Sequence, residues 1–372
     1  SILIRRVAGP RYDKRQEWVE RAIDGLVDDS FLILVPHLTL GGADRVAVNL
    51  ARAAAEEIGP HRVFMISTDR GHQEARCWLP PGVKFRRLQM TDETAVDFSQ
   101  LGRIVADLLM AAQPRTVVNV NSRGAWHAYQ DYGRQLQQYM SLNATQFARQ
   151  HHAHGGFGGY GDEFLRQTID LLDLVLFDNQ TFREQLITDL GLLSRDGEKL
   201  KVLYQPSPIT PNFDLDLEKR NTDRVLWIGR IAREKRPDLL AEVAALMPER
   251  EFHVYGGPTD RRTLLKYGLL RDNLVIHGPI DSVEDLDPLA FGALLFTSFF
   301  EGMPNVPIEI GSMGLPVVAS SVGGLPELID DETSWPLPPS ATAGDYAVAL
   351  REALDAHRGA AVGAKLREKI AA

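Results

Sequence analysis

Residues 225–237 read VLWIGRIAREKRP, an apolar run of four residues that ends at Gly229 and is followed by a cluster of cations. A short apolar run that stops at a glycine and leads into a helical stretch is typical of one strand–helix unit of a parallel sheet. Comparable runs recur along the chain, at 31–35, 63–66, 116–120, 174–177 and 202–204, and then at 225–228, 252–255, 274–276, 293–296 and 316–319. This alternation predicts an α/β protein with two parallel sheets.

A break between the two series predicts two domains. Pro206, Pro208 and Pro211 interrupt the pattern, and a polar segment at 214–224 follows them, as in an interdomain linker. At 372 residues the chain also exceeds what one hydrophobic core usually supports. The predicted organisation is an N-terminal extension at 1–30 with an amphipathic helix at 16–28, a first domain at 31–210, and a second domain at 223–372 that ends in helices at 343–370.

The composition excludes several classes of protein. Forty-one Lys and Arg against fifty Asp and Glu give a net charge of −9, so no nucleic acid partner is expected. Cys77 is alone, the apolar runs are shorter than the roughly 20 residues of a membrane span, and no leader is evident. The expected location is the cytoplasm. A basic stretch at 5–15 adds weak peripheral association with the inner face of the cytoplasmic membrane.

The segment 300–309, FEGMPNVPIE, carries two carboxylates on either side of seven residues. Pro307 suits a first helical position, which predicts that Glu309 lies in the opening turn of a helix. Glu301 would then project from a loop beyond the carboxyl end of a strand, where open parallel sheets bind ligands, with backbone amides available for a phosphate. The alternative is that both glutamates are only solvated or complement the helix dipole.

Two further loops have features of phosphate sites. Four cations fall within 230–236, and Arg230 with Lys235 at a strand end would form a positive pocket for a diphosphate, unless this is only a solvated basic turn. Gly41 and Gly42 end the first strand–helix loop and let the backbone approach a ligand. The loop lacks the G-x-G-x-x-G fingerprint, which argues against a nicotinamide or flavin enzyme.

Together these motifs, in this order and followed by Gly323-Gly324, resemble the family 4 retaining glycosyltransferases from about residue 31 to about 330. The resemblance implies the GT-B fold, in which two Rossmann-like, doubly wound parallel-sheet domains face each other across a cleft. The first would bind an acceptor and the second a nucleotide-sugar donor. The implied reaction is a metal-independent, retaining transfer to a hydroxyl of a saccharide or lipid-linked saccharide, in the synthesis of bacterial cell-surface polysaccharide, lipopolysaccharide or glycolipid.

The resemblance also assigns roles to individual residues on the donor side. Arg230 and Lys235 would hold the diphosphate, Glu309 the ribose hydroxyls, and Glu301 would lie beside the transferred sugar. Further donor contacts would come from Gly41, Gly42, Gly257, Gly302, Met303, Pro304 and Asn305. The turn at 277–279 would adjoin the nucleotide base. Arg236 and Ile310 depart from the family, which usually has Gly and Ala there, and predict a reshaped donor pocket.

On the acceptor side the resemblance implies a catalytic histidine, for which we choose His151 over His152. His152 and Asn121 are expected to bind the acceptor, and Asn119 could do so as well, although Asn119 and Asn121 could instead cap the next helix. A metal cluster of His151, His152 and His154 is the alternative to a flexible acceptor loop, but no Asp-x-Asp or His-x-x-x-His accompanies it. No cofactor or metal is therefore expected.

Two other functions fit the same residues. One is a nucleotide-sugar epimerase or a sugar phosphorylase, which also use paired Rossmann-like domains. The other is a non-catalytic nucleotide-sugar-binding module of a larger protein, which the start at Ser1 and the additional helix favour and the full set of Glu301, Arg230, Lys235 and Glu309 disfavours.

Overall fold

The computed structural model describes residues 14–27, 29–39, 41–69, 73–88, 97–151, 157–192, 194–206, 215–280 and 282–372. The chain divides into two compact units, Ser1–Gln205 and Pro206–Ala372. Within the described ranges, no helix combines the length and the apolar character that crossing a bilayer requires.

The first unit is built on a parallel sheet of seven strands. The strands of this sheet are β1 (Phe31–Val35), β2 (Val63–Ser67), β3 (Lys84–Arg87), β4 (Thr116–Asn119), β5 (Ser141–Gln146), β8 (Leu174–Phe177) and β9 (Leu200–Val202). Two short strands, β6 (Gln150–His151) and β7 (Phe157–Gly158), form a separate antiparallel ribbon. The strand order is β3-β2-β1-β4-β5-β8-β9, so the direction of winding reverses between β1 and β4. In such sheets this reversal opens a crevice beyond the carboxyl ends of the strands.

Both faces of this sheet are buried, as the continuous apolar runs predict. Leu32 and Leu34 of β1 pack into one hydrophobic cluster, while the alternating Ile33 and Val35 pack into a second cluster on the other face. The covering helices are α1 (Lys14–Ala22), α2 (Gly42–Ile58), α3 (Phe98–Ala112), α4 (Arg123–Leu136), α5 (Arg166–Thr168), α6 (Gln180–Leu190) and α7 (Ser194–Gly197). The unit is thus doubly wound.

The second unit repeats this plan with a six-stranded parallel sheet. Its strands are β10 (Arg224–Ile228), β11 (Glu251–Tyr255), β12 (Leu274–Gly278), β13 (Ala293–Phe296), β14 (Val317–Ser320) and β15 (Trp335–Leu337), in the order β12-β11-β10-β13-β14-β15. Its helices are α8 (Pro237–Leu246), α9 (Arg261–Lys266), α10 (Asn305–Ser312), α11 (Leu325–Leu328), α12 (Ala343–Ala353) and α13 (Ala356–Ala371). The order reverses between β10 and β13. The predicted pair of Rossmann-like domains is confirmed.

Two predicted elements have other bounds in the structure, and three strands were not predicted. The strand predicted at 202–204 begins and ends two residues earlier, because β9 covers Leu200–Val202 and Tyr204 is exposed. The helix at 16–28 ends at Ala22, ahead of Gly25 with a φ of 79°. Sequence patterning also missed β3, β5 and β15, whose residues are mostly polar or include Pro336.

Helices α10 and α13 cross closely through small residues. Gly363 of α13 lies against the turn after α10, where a Cβ atom on Gly363 would come within 2.0 Å of the carbonyl oxygen of Gly314. Gly311 of α10 faces the side chain of Leu366 in the same way, at 2.7 Å. Because α10 carries Glu309, this crossing helps to fix the position of a residue that is predicted to bind the nucleotide-sugar donor.

We therefore expect Gly363→Ala to destabilise the second unit by about 1–3 kcal/mol, since the clash with backbone outweighs the gain in helix propensity of about 1 kcal/mol. Gly344→Ala is the matched control, because Gly344 is exposed in the first turn of α12 and its nearest neighbour, Thr342 Oγ1, would be 3.5 Å from the new Cβ. The control should be neutral or slightly stabilising. Urea unfolding followed by circular dichroism measures both, and equal midpoints for the two variants would contradict the packing described.

Candidate functional site

The reversal point of the second sheet brings together two of the predicted site residues. Lys235 follows β10 and Glu301 follows β13, the two strands that flank the reversal. The ammonium group of Lys235 forms an ion pair with the carboxylate of Glu301, and the two side chains are only 21% and 15% exposed. Lys235 also lies 5.8 Å from the ring centre of Phe296. A cation and an anion are thus held together at the strand ends, where a parallel sheet binds its ligand.

The backbone of Lys235 is fixed by a chain of buried hydrogen bonds that the sequence did not signal. The indole N–H of Trp227 donates to Oγ1 of Thr297 at 3.0 Å, and the Thr297 hydroxyl donates to the carbonyl oxygen of Lys235 at 2.7 Å. Trp227 and Thr297 are 2% and 1% exposed. The next loop is tied in as well, since the amide of Phe299 donates to the carbonyl of Glu234 at 2.7 Å. Thr297 is thus a positioning residue for Lys235.

Arg230, the other predicted diphosphate ligand, has a different environment. Its side chain is 73% exposed and its guanidinium lies 2.7 Å from the carboxylate of Glu234, which is 22% exposed. Exposed ion pairs of this kind contribute at most about 1 kcal/mol. The guanidinium can therefore exchange Glu234 for another anion at little cost.

Close backbone packing holds the loops of this site in place. Gly256 has a φ of 143°, and a Cβ there would come within 1.8 Å of the carbonyl oxygen of Gly229. The amide of Ile231 donates to the carbonyl of Gly257 at 2.6 Å. On the other side, Gly323 has a φ of 60°, and any side chain on it would strike the carbonyls of 301 and 302. Only glycine fits at 256 and 323, which explains one glycine in each of the pairs 256–257 and 323–324.

The helix that carries Glu309 begins earlier than predicted. It starts at Asn305 with Pro304 as its N-cap, so Pro307 is the third helical residue and Glu309 the fifth, beyond the opening turn. Proline is tolerated there because the amides of the first turn have no partner within the helix. No side chain caps this N-terminus. Gly302, Met303 and Pro304 precede the helix and Asn305 opens it, as expected. Pro304 has no backbone N–H, so it offers no amide to a phosphate.

Arg236 adopts a left-handed conformation, with a φ of 48°, at the residue before α8. That conformation costs a residue with a Cβ about 1–2 kcal/mol relative to glycine. The structure thus gives a backbone reason for the Gly that the resembling family usually has here. The guanidinium nitrogen Nε of Arg236 lies 4.0 Å from the carboxylate of Asp238.

An aromatic stack lies beside the loop expected to meet the nucleotide base. The rings of Tyr255 and His277 are parallel, with their centres 4.3 Å apart. Nδ1 of His253 lies 2.9 Å from Nε2 of His277. Nε2 of His253 lies 3.4 Å from the carboxylate of Glu251. Burial, and then the neighbouring His253, lower the pKa of His277. The pair therefore favours the neutral form of His277 at physiological pH.

In the first unit, Gly41 is the N-cap of α2 and Gly42 its first residue. The buried carboxylate of Asp44 accepts hydrogen bonds from Oγ1 of Thr39, at 2.9 Å, and from the backbone of Gly41. A Cβ on Gly41 would lie 2.9 Å from that carboxylate. Burial raises the pKa of Asp44. The backbone amide of Gly41, which the sequence suggested as a phosphate ligand, is thus already bonded to Asp44. The predicted role of Gly41 and Gly42 in binding the donor stays a prediction.

The strand ends β2 and β4 meet at the same edge. Thr68 donates to Asp69 Oδ1, and its hydroxyl lies 2.7 Å from that of Ser122. Ser122, not Asn121, is the N-cap of α4, and the side chain of Asn119 accepts from the Ser122 amide at 2.8 Å. The capping alternative for Asn121 is therefore wrong. Asn121 has a φ of 60°, and its acceptor role stays a prediction.

The backbone of His151 pairs with that of Phe157 in the β6–β7 ribbon. His152 and His154 lie outside the described residues. The base of this ribbon is held by Arg149, whose guanidinium contacts both oxygens of Asp162 at 2.6–3.0 Å and Asp189 at 2.5 Å. The roles of His151 and His152 stay predictions. In the part of the chain that is described, no group of three or more His, Cys, Asp or Glu is arranged to hold a metal ion.

Replacing Thr297 by valine removes the acceptor of the Trp227 indole and the donor to Lys235 without changing the side-chain shape much. We expect a loss of about 1–3 kcal/mol in the stability of the second unit, the cost of unpaired buried polar groups. Thr259→Val, at an exposed loop position, is the control and should stay within about 0.5 kcal/mol. Urea unfolding followed by tryptophan fluorescence makes the comparison. If the Thr297 variant unfolds with the control, the hydrogen-bond chain does not hold Lys235.

Sequence comparison finds a matching family and several relatives. The family described as glycosyl transferases group 1 matches residues 222–356. A D-inositol 3-phosphate glycosyltransferase of Mycolicibacterium vanbaalenii is 28% identical over 217 residues, covering 51% of this chain and 48% of the relative. The O-antigen biosynthesis glycosyltransferase WbnH of Escherichia coli is 28% identical over 155 residues, covering 39% and 45%. The matched region thus spans about half the length of these relatives.

Structure comparison covers both units. Sucrose-phosphate synthase from Thermosynechococcus elongatus superimposes with a TM-score of 0.69 at 20% identity, over 92% of this chain and 94% of the other. Anabaena HepE, in complex with UDP-glucose, gives 0.68 at 17% identity over 92% and 94%. At these identities the likeness shows the fold, which is GT-B. Within the second unit, residues 222–356 thus match the glycosyl transferases group 1 family, in a chain that has the GT-B fold.

Proposed function

We propose that this chain is a retaining glycosyltransferase that transfers a sugar from a nucleoside diphosphate sugar to a hydroxyl group of a saccharide or a lipid-linked saccharide. The observation that carries the proposal is the ion pair of Lys235 with Glu301 at the reversal point of the second sheet. The family match of residues 222–356 supports it, because that segment contains both residues.

In the proposed reaction the bond between the sugar and the β-phosphate breaks, and negative charge develops on the departing phosphate. Lys235, Arg230 and the uncapped amides at the start of α10 are the groups that would stabilise this charge. Preorganised donors of this kind contribute several kcal/mol to a transition state, about 3–4 kcal/mol for one oxyanion donor. These cations supply the charge, so the proposal needs no metal ion.

The configuration at the anomeric carbon is retained if the acceptor attacks on the same face of the sugar from which the phosphate departs. The acceptor oxygen then forms the new bond to the sugar while its proton passes to the departing phosphate oxygen. We assign Glu301 to the sugar hydroxyls, Glu309 to the ribose, and Gly257 to the nucleotide. Gly41, Gly42, Asn121, His151 and His152 are the ligands proposed in the first unit.

Relatives suggest which molecules to test first. HepE has been solved with UDP-glucose, which makes a UDP-sugar the first donor to try. The names of the relatives point to inositol phosphate in one case and to O-antigen in another. We propose a cytoplasmic role in the synthesis of cell-surface polysaccharide, lipopolysaccharide or glycolipid, with weak association of the basic N-terminal stretch with the membrane.

The test is release of nucleoside diphosphate from UDP-, GDP-, dTDP- and ADP-glucose in the presence of simple saccharide acceptors. We expect release with one of these donors, and a decrease in kcat/KM of about 10²–10³-fold for Lys235→Met, because the variant keeps the alkyl chain but loses the charge. Lys266→Met removes an exposed charge from α9 and should leave kcat/KM unchanged.

Three outcomes would contradict the proposal. Binding of a nucleotide sugar without any turnover would favour the non-catalytic module, and a free epimerised sugar or a sugar phosphate as product would favour an epimerase or a phosphorylase. Equal activity of the Lys235 and Lys266 variants would remove Lys235 from the reaction.

A further inference from the structure

Both cations that are predicted to bind the diphosphate already have a counter-ion within the protein. Arg230 pairs with Glu234, and Lys235 pairs with Glu301. The two cations differ in their exposure to water, since the side chain of Arg230 is 73% exposed and that of Lys235 only 21%. Water readily replaces the lost partner of an exposed charge, but not that of a largely buried one. The pair of Lys235 with Glu301 is therefore the one whose exchange for a ligand has a large energetic consequence.

The structure holds the backbone at both ends of this ion pair. The carbonyl of Lys235 accepts a hydrogen bond from the buried hydroxyl of Thr297 at 2.7 Å. On the other side, Gly323 packs so closely against the carbonyls of 301 and 302 that no side chain would fit between them. The carboxylate of Glu301 is thus held beside the ammonium group of Lys235 before any ligand arrives.

A ligand that takes Lys235 leaves the carboxylate of Glu301 without its cation. The side chain of Glu301 is 15% exposed, and in the described part of the chain Lys235 is the one cation that pairs with it. A largely buried charge that loses its partner is strongly unfavourable unless other hydrogen-bond donors take the partner's place. Tight binding at Lys235 therefore requires a ligand that also brings donors to Glu301.

A nucleotide sugar and a free nucleoside diphosphate differ in this respect. Both present phosphate oxygens, which Lys235 can bind. Only the nucleotide sugar has hydroxyl groups beyond the diphosphate, and a hydroxyl can donate to a carboxylate. The terminal oxygens of an ionised free diphosphate only accept hydrogen bonds, so they give Glu301 no new partner. The cost at Glu301 is thus compensated for the first ligand and not for the second.

We propose that Glu301 is a specificity-determining residue, which makes this site prefer a nucleotide sugar to the corresponding free nucleoside diphosphate. When the sugar is bound, its hydroxyl groups replace Lys235 as the partners of Glu301. When the diphosphate is bound alone, Glu301 competes with it for Lys235 and weakens its binding. The nucleoside diphosphate product therefore leaves more readily, because Glu301 recovers its cation on release. This inference rests on the proposed function and concerns the same site.

The experiment measures the affinities of the wild type and of Glu301→Gln for UDP and for UDP-glucose by isothermal titration calorimetry. The GDP, dTDP and ADP pairs are used in the same way if UDP does not bind. Glutamine keeps the shape of the side chain but carries no charge. We expect UDP to bind the variant at least tenfold more tightly, because an interaction with a charged partner is worth about tenfold or more. UDP-glucose should gain less, so the preference for the sugar decreases by a similar factor.

Two further variants isolate the effect. Glu249→Gln removes a charge from an exposed position just before β11, at the edge of the sheet opposite the site, and should bind both ligands like the wild type. In a Lys235→Met background, Glu301→Gln should change the affinity for UDP by less than about threefold, because the two residues are then no longer coupled. If circular dichroism shows that Glu301→Gln is unfolded, Glu301→Ala, which gives water access to Lys235, takes its place.

The possible results separate this inference from the proposed function. Equal affinities of the wild type and Glu301→Gln for UDP would mean that Glu301 does not compete for Lys235. Weaker binding of UDP by Glu301→Gln would mean that Glu301 instead holds Lys235 in place for the phosphate. Either result overturns the inference and leaves the proposed function standing, since the wild type then binds the nucleotide. Failure of the wild type to bind any of the four nucleotides overturns both.

Discussion

The ammonium group of Lys235 and the carboxylate of Glu301 are held against each other at the reversal point of the second sheet, largely withdrawn from water. Withdrawing two charges from water is costly, and their attraction compensates only where the surrounding structure fixes the geometry. Much of the second unit helps to fix the geometry of this ion pair. The two loops come from adjacent strands, β10 and β13, so the parallel topology itself brings the pair together. Under the proposed function, a diphosphate that arrives there would compete with Glu301 for Lys235.

The rigidity of this arrangement comes from backbone contacts and buried hydrogen bonds. Gly256 allows the loop after β11 to touch the loop after β10, and Gly323 allows the loop after β14 to touch Glu301. Thr297 connects the buried Trp227 to the carbonyl of Lys235. Each contact fixes a loop that carries a predicted ligand. A ligand group positioned in advance loses less conformational freedom when the substrate binds.

The sequence predicted those parts of the fold in which apolar residues are continuous. Such runs located nearly all of the central strands, because both faces of each sheet are buried. It missed β5, since Asn143 and Thr145 are buried with their side chains bonded to the carbonyls of Val117 and Asn119, and buried polar residues of this kind leave no hydrophobic pattern. Lys235 and Glu301 were found as motif residues. Thr297 and Asp44 were not, because their roles depend on contacts between segments distant in sequence or on a loop conformation that no local pattern encodes.

If Lys235 binds a diphosphate, as proposed, the comparison of UDP with uridine shows it most directly. Isothermal titration calorimetry gives the ratio of the two affinities, which isolates the contribution of the phosphates from that of the base. For Lys235→Met we expect this ratio to fall by tenfold or more while the affinity for uridine stays the same, because a hydrogen bond to a charged group is worth about 1.5–3 kcal/mol. A ratio that is unchanged by the substitution would contradict the account.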